Sequence, residues 1–161
     1  MRNLFLCAIP VFAMLGTAVA QEPIAAPMHV LVSPMDVKWG APPPVFEKGA
    51  KFAVLSGDPS KAGIFVARLK VPAGYKIAPH WHSSDEHVTV ISGKFGLGMG
   101  EKFDKTTMKT LPTGSYAFLP AEMRHFVMAK TDSIIQVESM GPFTLTYVNP
   151  SDDPSKRNQE K

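Results

Sequence analysis

The chain has 161 residues, a formal charge of +3 and one cysteine, Cys7. Lysines and acids are interleaved, as in GEKFDKTTMK (100–109), so no basic stripe with aromatics between its charges offers a nucleic-acid surface. A chain of this length buries a single adequate core, and a lone cysteine excludes an internal disulfide.

In chain order, residues 1–20 read as a secretory signal peptide. Arg2 precedes an apolar run from Leu4 to Leu15, Pro10 interrupts it, and Ala18-Val19-Ala20 forms a small-x-small cleavage site. The run is too short to span a bilayer. The expectation is secretion or export to the periplasm, with no membrane attachment after cleavage. Residues 21–50 are rich in proline, and Pro42-Pro43-Pro44 fits neither a helix nor a central strand. They read as an extended arm wrapped over the domain, anchored by Trp39 and Phe46. Residues 51–150 form the domain itself. Residues 151–161, SDDPSKRNQEK, are polar and charged and read as a mobile tail.

Within the domain almost nothing has helical periodicity. Short runs rich in Val, Ile, Phe and Thr alternate with Gly, Pro and Asp. Strands are expected at 63–71, 76–82, 87–93, 94–100, 115–120, 124–129, 133–139 and 143–148. Many short strands separated by turn signals give an all-β sandwich or barrel.

The stretch PHWHSSDEH (79–87) carries the chemistry. His80 and His82 stand one residue apart, so a strand projects both to one side. Glu86 follows a short SSD turn and can direct its carboxylate to the same centre. His125, on a later strand, is a fourth candidate. Three imidazoles and one carboxylate suit a first-row divalent ion with positions left for water or substrate: Fe or Mn best, with Zn, Ni or Cu also compatible. The alternative is a set of surface or core histidines with no ion to hold. Such binding should weaken near and below pH 6.5, roughly the unperturbed histidine pKa, because imidazoles bind metals only when neutral. His87, next to Glu86 on a strand, belongs to the opposite face.

The spacing also matches a known family. Gly74, five residues, His80-x-His82, three residues, Glu86, six residues and Gly93 make one motif; Gly114, five residues, Pro120 and His125 make most of a second. Glu122 stands where that second motif has glycine, and Ala129 where it has asparagine. On these residues the chain resembles the cupin superfamily, in particular small bacterial monocupins of the type-2 domain, over about residues 63–147. The resemblance implies a double-stranded β-helix, or jelly roll, with one metal held by His80, His82, Glu86 and His125 in the barrel mouth. It implies a metal-dependent small-molecule enzyme of dioxygenase, isomerase or lyase type. The competing class is a cupin that binds a metal or small ligand without turnover. It also implies a homodimer, with the sheet face of His87, Thr89 and Ile91 as the contact.

Other polar residues on expected strands are candidate substrate-binding groups: Arg68, Gln136 and Tyr147. The glycines of KFGLGMG (94–100) read either as room left in a pocket or as a bulge, the latter preferred. The methionines are scattered and read as core filling.

Overall fold

The structure, a computed structural model, describes residues 29–157. The expected signal peptide, residues 1–20, and the first part of the arm, residues 21–28, lie outside the described residues, as do the last four of the tail.

Ten strands make up the body: β1 (Lys51–Ser56), β2 (Gly63–Val71), β3 (Lys76–His82), β4 (Glu86–Ser92), β5 (Lys94–Met99), β6 (Lys109–Pro112), β7 (Tyr116–Leu119), β8 (His125–Ala129), β9 (Ser133–Gly141) and β10 (Leu145–Tyr147). They form two five-stranded antiparallel sheets, in the orders β1-β2-β9-β4-β7 and β10-β3-β8-β5-β6. Most of the strands' inward residues are apolar. Phe65, Ala67 and Leu69 on β2, Val88 and Val90 on β4 and Ile135 on β9 face Ile77, Phe95 and Val127 of the other sheet. Packing two such faces is the jelly roll expected from the sequence. Two strands are not legible in the apolar pattern. In β6 only Leu111 is buried, and in β1 the bulge between Val54 and Ser56 breaks the alternation.

A second bulge matters for function. The pairing of β3 with β8 shifts register between Ile77 and His80. Strict alternation from Ile77 would turn His80 outward. The extra residue at Ala78-Pro79 resets the phase, so Ile77, His80 and His82 all face the interior. Trp81 lies between the two histidines on the outer side, with the Arg124 guanidinium 5.6 Å from its ring centre.

The described part of the arm, residues 29–50, runs as loop with turns at 34–36 and 44–46. Gly40 exchanges two main-chain hydrogen bonds with Phe52 (2.8 and 3.1 Å), and Phe46 stacks on Phe52 with ring centres 6.4 Å apart. Trp39 is only half-buried, and Val37 is the residue nearby that is fully covered. Two buried phenols hold the arm's carbonyls: Tyr147 Oη donates to Val45 O (2.7 Å) and Tyr75 Oη to Glu47 O (2.9 Å). Burial pushes the Tyr75 phenol up to about 12, so it stays a donor at any ordinary pH.

The tail departs from expectation. Residues Pro150–Asp152 form a 3-10 turn capped by Asn149, and Pro154–Arg157 form one helical turn with Pro154 buried. The Arg157 guanidinium bonds the Glu47 carboxylate of the arm. A polar segment is thus tied down by a partner about a hundred positions away, which local composition does not reveal.

The glycines of β5 also resolve. A Cβ on Gly98 would lie 2.2 Å from the Phe126 ring, which is fully buried and packs 5.1 Å from Phe103. That glycine clears space for a neighbouring ring and not for a ligand.

Gly93 joins β4 to β5 with φ 87°, and a Cβ there would meet Asp132 O at 2.3 Å. Gly74 has a similar φ of 81° but open space around it. Gly93→Ala should therefore lower stability by about 2 kcal/mol or more, against about 1 kcal/mol for Gly74→Ala. Denaturant titration should show both as shifted midpoints with an unchanged slope; equal losses would remove the close-approach argument.

Candidate metal centre

His80 and His82 reach the interior from β3 and His125 from the adjoining β8, where His80 and His125 are directly paired. Glu86 begins β4 in the opposite sheet and points across at them. All four are buried, none more than 7% exposed. One nitrogen of each imidazole lies within 4.8 Å of those of the other two. Glu86 Oε2 stands 3.6 Å from His82 Nε2 and 3.5 Å from His125 Nε2.

Main-chain carbonyls decide which nitrogens are free. His80 Nδ1 contacts Ala78 O (2.8 Å), His82 Nδ1 contacts Thr144 O (2.9 Å) and His125 Nδ1 contacts Met123 O (2.9 Å). A carbonyl can only accept, so each Nδ1 carries the proton and each Nε2 keeps a lone pair. Phe143 stacks on the His82 ring at 4.4 Å and 14°, fixing its plane.

Electrostatics fit a cation. Burial, then the neighbouring imidazoles, pushes His80 well below the usual histidine range. Burial chiefly lowers His82 to about 3, and it also lowers His125. Burial pushes Glu86 up to about 8. Three lone pairs and a carboxyl thus face one another with no donor among them except the proton on Glu86. The three imidazoles could hold a divalent ion, and the Glu86 carboxyl stands beside two of them, so the donor set fits the metal that the sequence suggests.

The centre opens into a cavity of about 140 Å³. Its other walls are apolar: inward residues of both sheets, Phe143 and Leu145 near β10, Pro59, and Pro43, Val45 and Phe46 from the arm. Among the described residues, the four proposed ligands are the only polar ones lining it. Sequence reasoning did not find the arm's share of this wall or Phe143, although Phe46 stood out as an apolar anchor. The signal was the apolar Pro-Val-Phe run after the proline triplet, whose partners are distant in sequence.

The three candidate substrate-binding residues are elsewhere. Arg68 and Gln136 are paired across β2 and β9, and Arg68 Nε donates to Gln136 Oε1 at 3.0 Å. Gln136 Nε2 in turn donates to Glu138 Oε1 at 2.8 Å. This network lies on the outer sheet face, because Ala67, Leu69, Ile135 and Val137 beside these residues line the cavity. Tyr147 is buried but spends its hydroxyl on the arm carbonyl of Val45. His87 is outward, as expected, with Nδ1 2.6 Å from Tyr116 Oη.

The substitution of Glu122 for glycine leaves the turn intact. Glu122 has φ 62°, the one non-glycine residue with positive φ among the described residues. Its amide donates to His82 O (2.9 Å) and its carbonyl accepts from Arg124 Nη1 (2.6 Å). The turn that aims His125 thus keeps a glycine-like shape at some cost in strain.

A family model described as a domain of unknown function (DUF4437) matches residues 18–146. No curated protein matches the chain. The solved structure of the polyketide cyclase RemF from Streptomyces resistomycificus is 20% identical and aligns over 82% of this chain and 94% of its own, with a TM-score of 0.65. An acetylacetone dioxygenase from Acinetobacter johnsonii is 18% identical over 84% of this chain and 87% of its own, with a TM-score of 0.60. An RmlC-like cupin from Shewanella frigidimarina is 15% identical over 70% and 91%, with a TM-score of 0.55. At such identities the likeness is one of fold, and the fold is the cupin barrel.

Metal affinity should follow Glu86 and not the histidines. Burial lowers all three imidazoles, His80 and His82 strongly, which moves the sequence-based expectation. An entering cation displaces one proton from Glu86, so affinity should fall about tenfold per pH unit below about pH 8. In Glu86→Gln binding should be weaker and that slope should vanish. Calorimetric titration with Mn(II) at several pH values reads both; an unchanged slope in the variant would place the proton elsewhere. His82→Ala and His125→Ala should each lose metal while still unfolding cooperatively. Glu122→Gly should be neutral to stabilising by up to about 1 kcal/mol, strain relief being offset by a freer unfolded chain.

Proposed function

This chain belongs to the DUF4437 family and has the cupin fold, and from that premise we propose that it is an exported metal-dependent enzyme acting on a small molecule. The observation that carries the reading is the cavity. Three imidazoles that could hold a metal, with Glu86 beside two of them, form one pole of an otherwise apolar chamber large enough for a small organic molecule. A divalent ion such as Fe or Mn, when bound, supplies Lewis acidity or a site for dioxygen chemistry.

The chain's own residues do the rest. His80, His82 and His125 hold their Nε2 atoms toward the centre because their Nδ1 protons are engaged. Glu86 is the one group lining the cavity that carries a removable proton near neutral pH, at its carboxyl oxygen. Phe46, Phe65 and Phe143 give the chamber apolar walls. Among cupin-fold structures similar to this one, an acetylacetone dioxygenase and a polyketide cyclase favour oxidoreductase-type or related chemistry over a purely structural role.

One observation favours the second class, a binder without turnover. Among the described residues, the titratable side chains that line the cavity are the proposed ligands themselves, so none is left over to act with Glu86 as an acid–base pair. Export rests on the leader read in residues 1–20. A homodimer is supported by the outer face of the first sheet, where Ile64, Phe118 and Met140 are 73%, 48% and 51% exposed around His87.

Elemental analysis of protein purified from its native compartment should find one equivalent of a divalent transition metal. Oxygen uptake and product analysis across a panel of small carbonyl and phenolic compounds should then reveal turnover in the wild type and none in His125→Ala. Saturable binding without turnover of any compound would favour the binder; protein that takes up no metal would end both metal readings. Light scattering at micromolar concentration should give twice the monomer mass.

A further inference from the structure

The shape and chemistry of the chamber limit what it can accept. Every lining side chain other than the four ligands is a hydrocarbon: Val, Leu, Ile, Phe, Ala or Pro. The strands behind them pair their amides and carbonyls within the two sheets. A substrate hydroxyl or amine away from the metal end would thus be buried without a partner, which is strongly unfavourable. Size sets a second limit. Dry cavities of roughly 150 Å³ lined by Leu, Ile and Phe hold benzene, and this one is about 140 Å³.

We infer that the substrate is a compact amphiphile of about six to eight non-hydrogen atoms, with an apolar body and with its oxygens all at one end, where they can meet the metal. This rests on the proposed metal site for the head and on the cavity alone for the body. Sugars, nucleosides and amino acids are excluded by their distributed polar groups, and long acyl chains by length. Ala67 on β2 is the size-determining residue. It is the smallest side chain in the wall, 1% exposed, between Phe65 and Leu69 on the same inward face. Three further carbons at this position, as in Ala67→Leu, would occupy the space of the body.

The test separates head from body. Calorimetric titration of the Mn(II)-loaded protein would compare pentanohydroxamate with dodecanohydroxamate and with erythronohydroxamate, which carries the same head on a hydroxylated chain. Pentanohydroxamate should bind at least tenfold tighter than either. Equal or tighter binding of the hydroxylated or the long compound overturns the inference. Benzene should raise the melting temperature of the wild type, with or without Mn(II), and not that of Ala67→Leu. Absence of that shift in the wild type likewise overturns it, whether or not the variant folds. If Mn(II) does not bind but benzene still protects, the metal reading fails while the apolar body of the inference stands.

Discussion

Three main-chain carbonyls hold the centre of this molecule in place. Ala78, Met123 and Thr144 each accept the Nδ1 proton of an imidazole, and everything at the site follows from that choice. Had those protons been free to move, the rings could have turned their donors on Glu86 and formed an ordinary buried hydrogen-bonded cluster. Instead all three Nε2 lone pairs are committed to one point, beside a carboxyl that burial keeps protonated. Two of the three acceptors lie two residues before their own histidine, so the strand that carries the ligand also sets its tautomer. The third comes from the segment leading into β10, which ties the far edge of the second sheet to the same task.

Much of this was legible in the sequence, for a physical reason. Strand periodicity fixes which side chains share a face, so His80-x-His82 followed by Glu86 needed only the correct phase. The phase itself depended on something less visible, since the bulge at Ala78-Pro79 is what lets Ile77 and His80 point the same way. Pro79 was the cue, because a residue without an amide hydrogen sits easily where a ladder is interrupted. Eight of the strands were legible as short apolar runs set between turn signals. β1 and β6 were not, having a bulge in one case and a single buried side chain in the other.

The misplacements have a common origin. Arg68 and Gln136 stand on strands that line the cavity, but a polar residue flanked by inward apolar ones must face out. Tyr147 shows the converse: burial alone does not put a polar group in a pocket when a carbonyl elsewhere needs its hydrogen. The tail depends on Glu47 and the arm depends on Tyr75 and Tyr147, long-range partners that no local window contains. Glu122 is the reverse case, a residue whose type argued against a turn that the hydrogen bonds of its neighbours nevertheless impose.

Part of the chamber wall is made by a segment that belongs to neither sheet. Pro43, Val45 and Phe46 line the cavity, yet the arm that carries them is fastened mostly through its own backbone carbonyls to two tyrosines. Side chains there are released from the register that governs every strand residue facing the three histidines. Mutation in this stretch can therefore reshape the chamber one residue at a time while the ligand geometry stays fixed. In a lineage of such proteins the arm is where new substrate preferences can be tried at least risk to folding, and comparing arms should separate members by what they accept more sharply than comparing barrels.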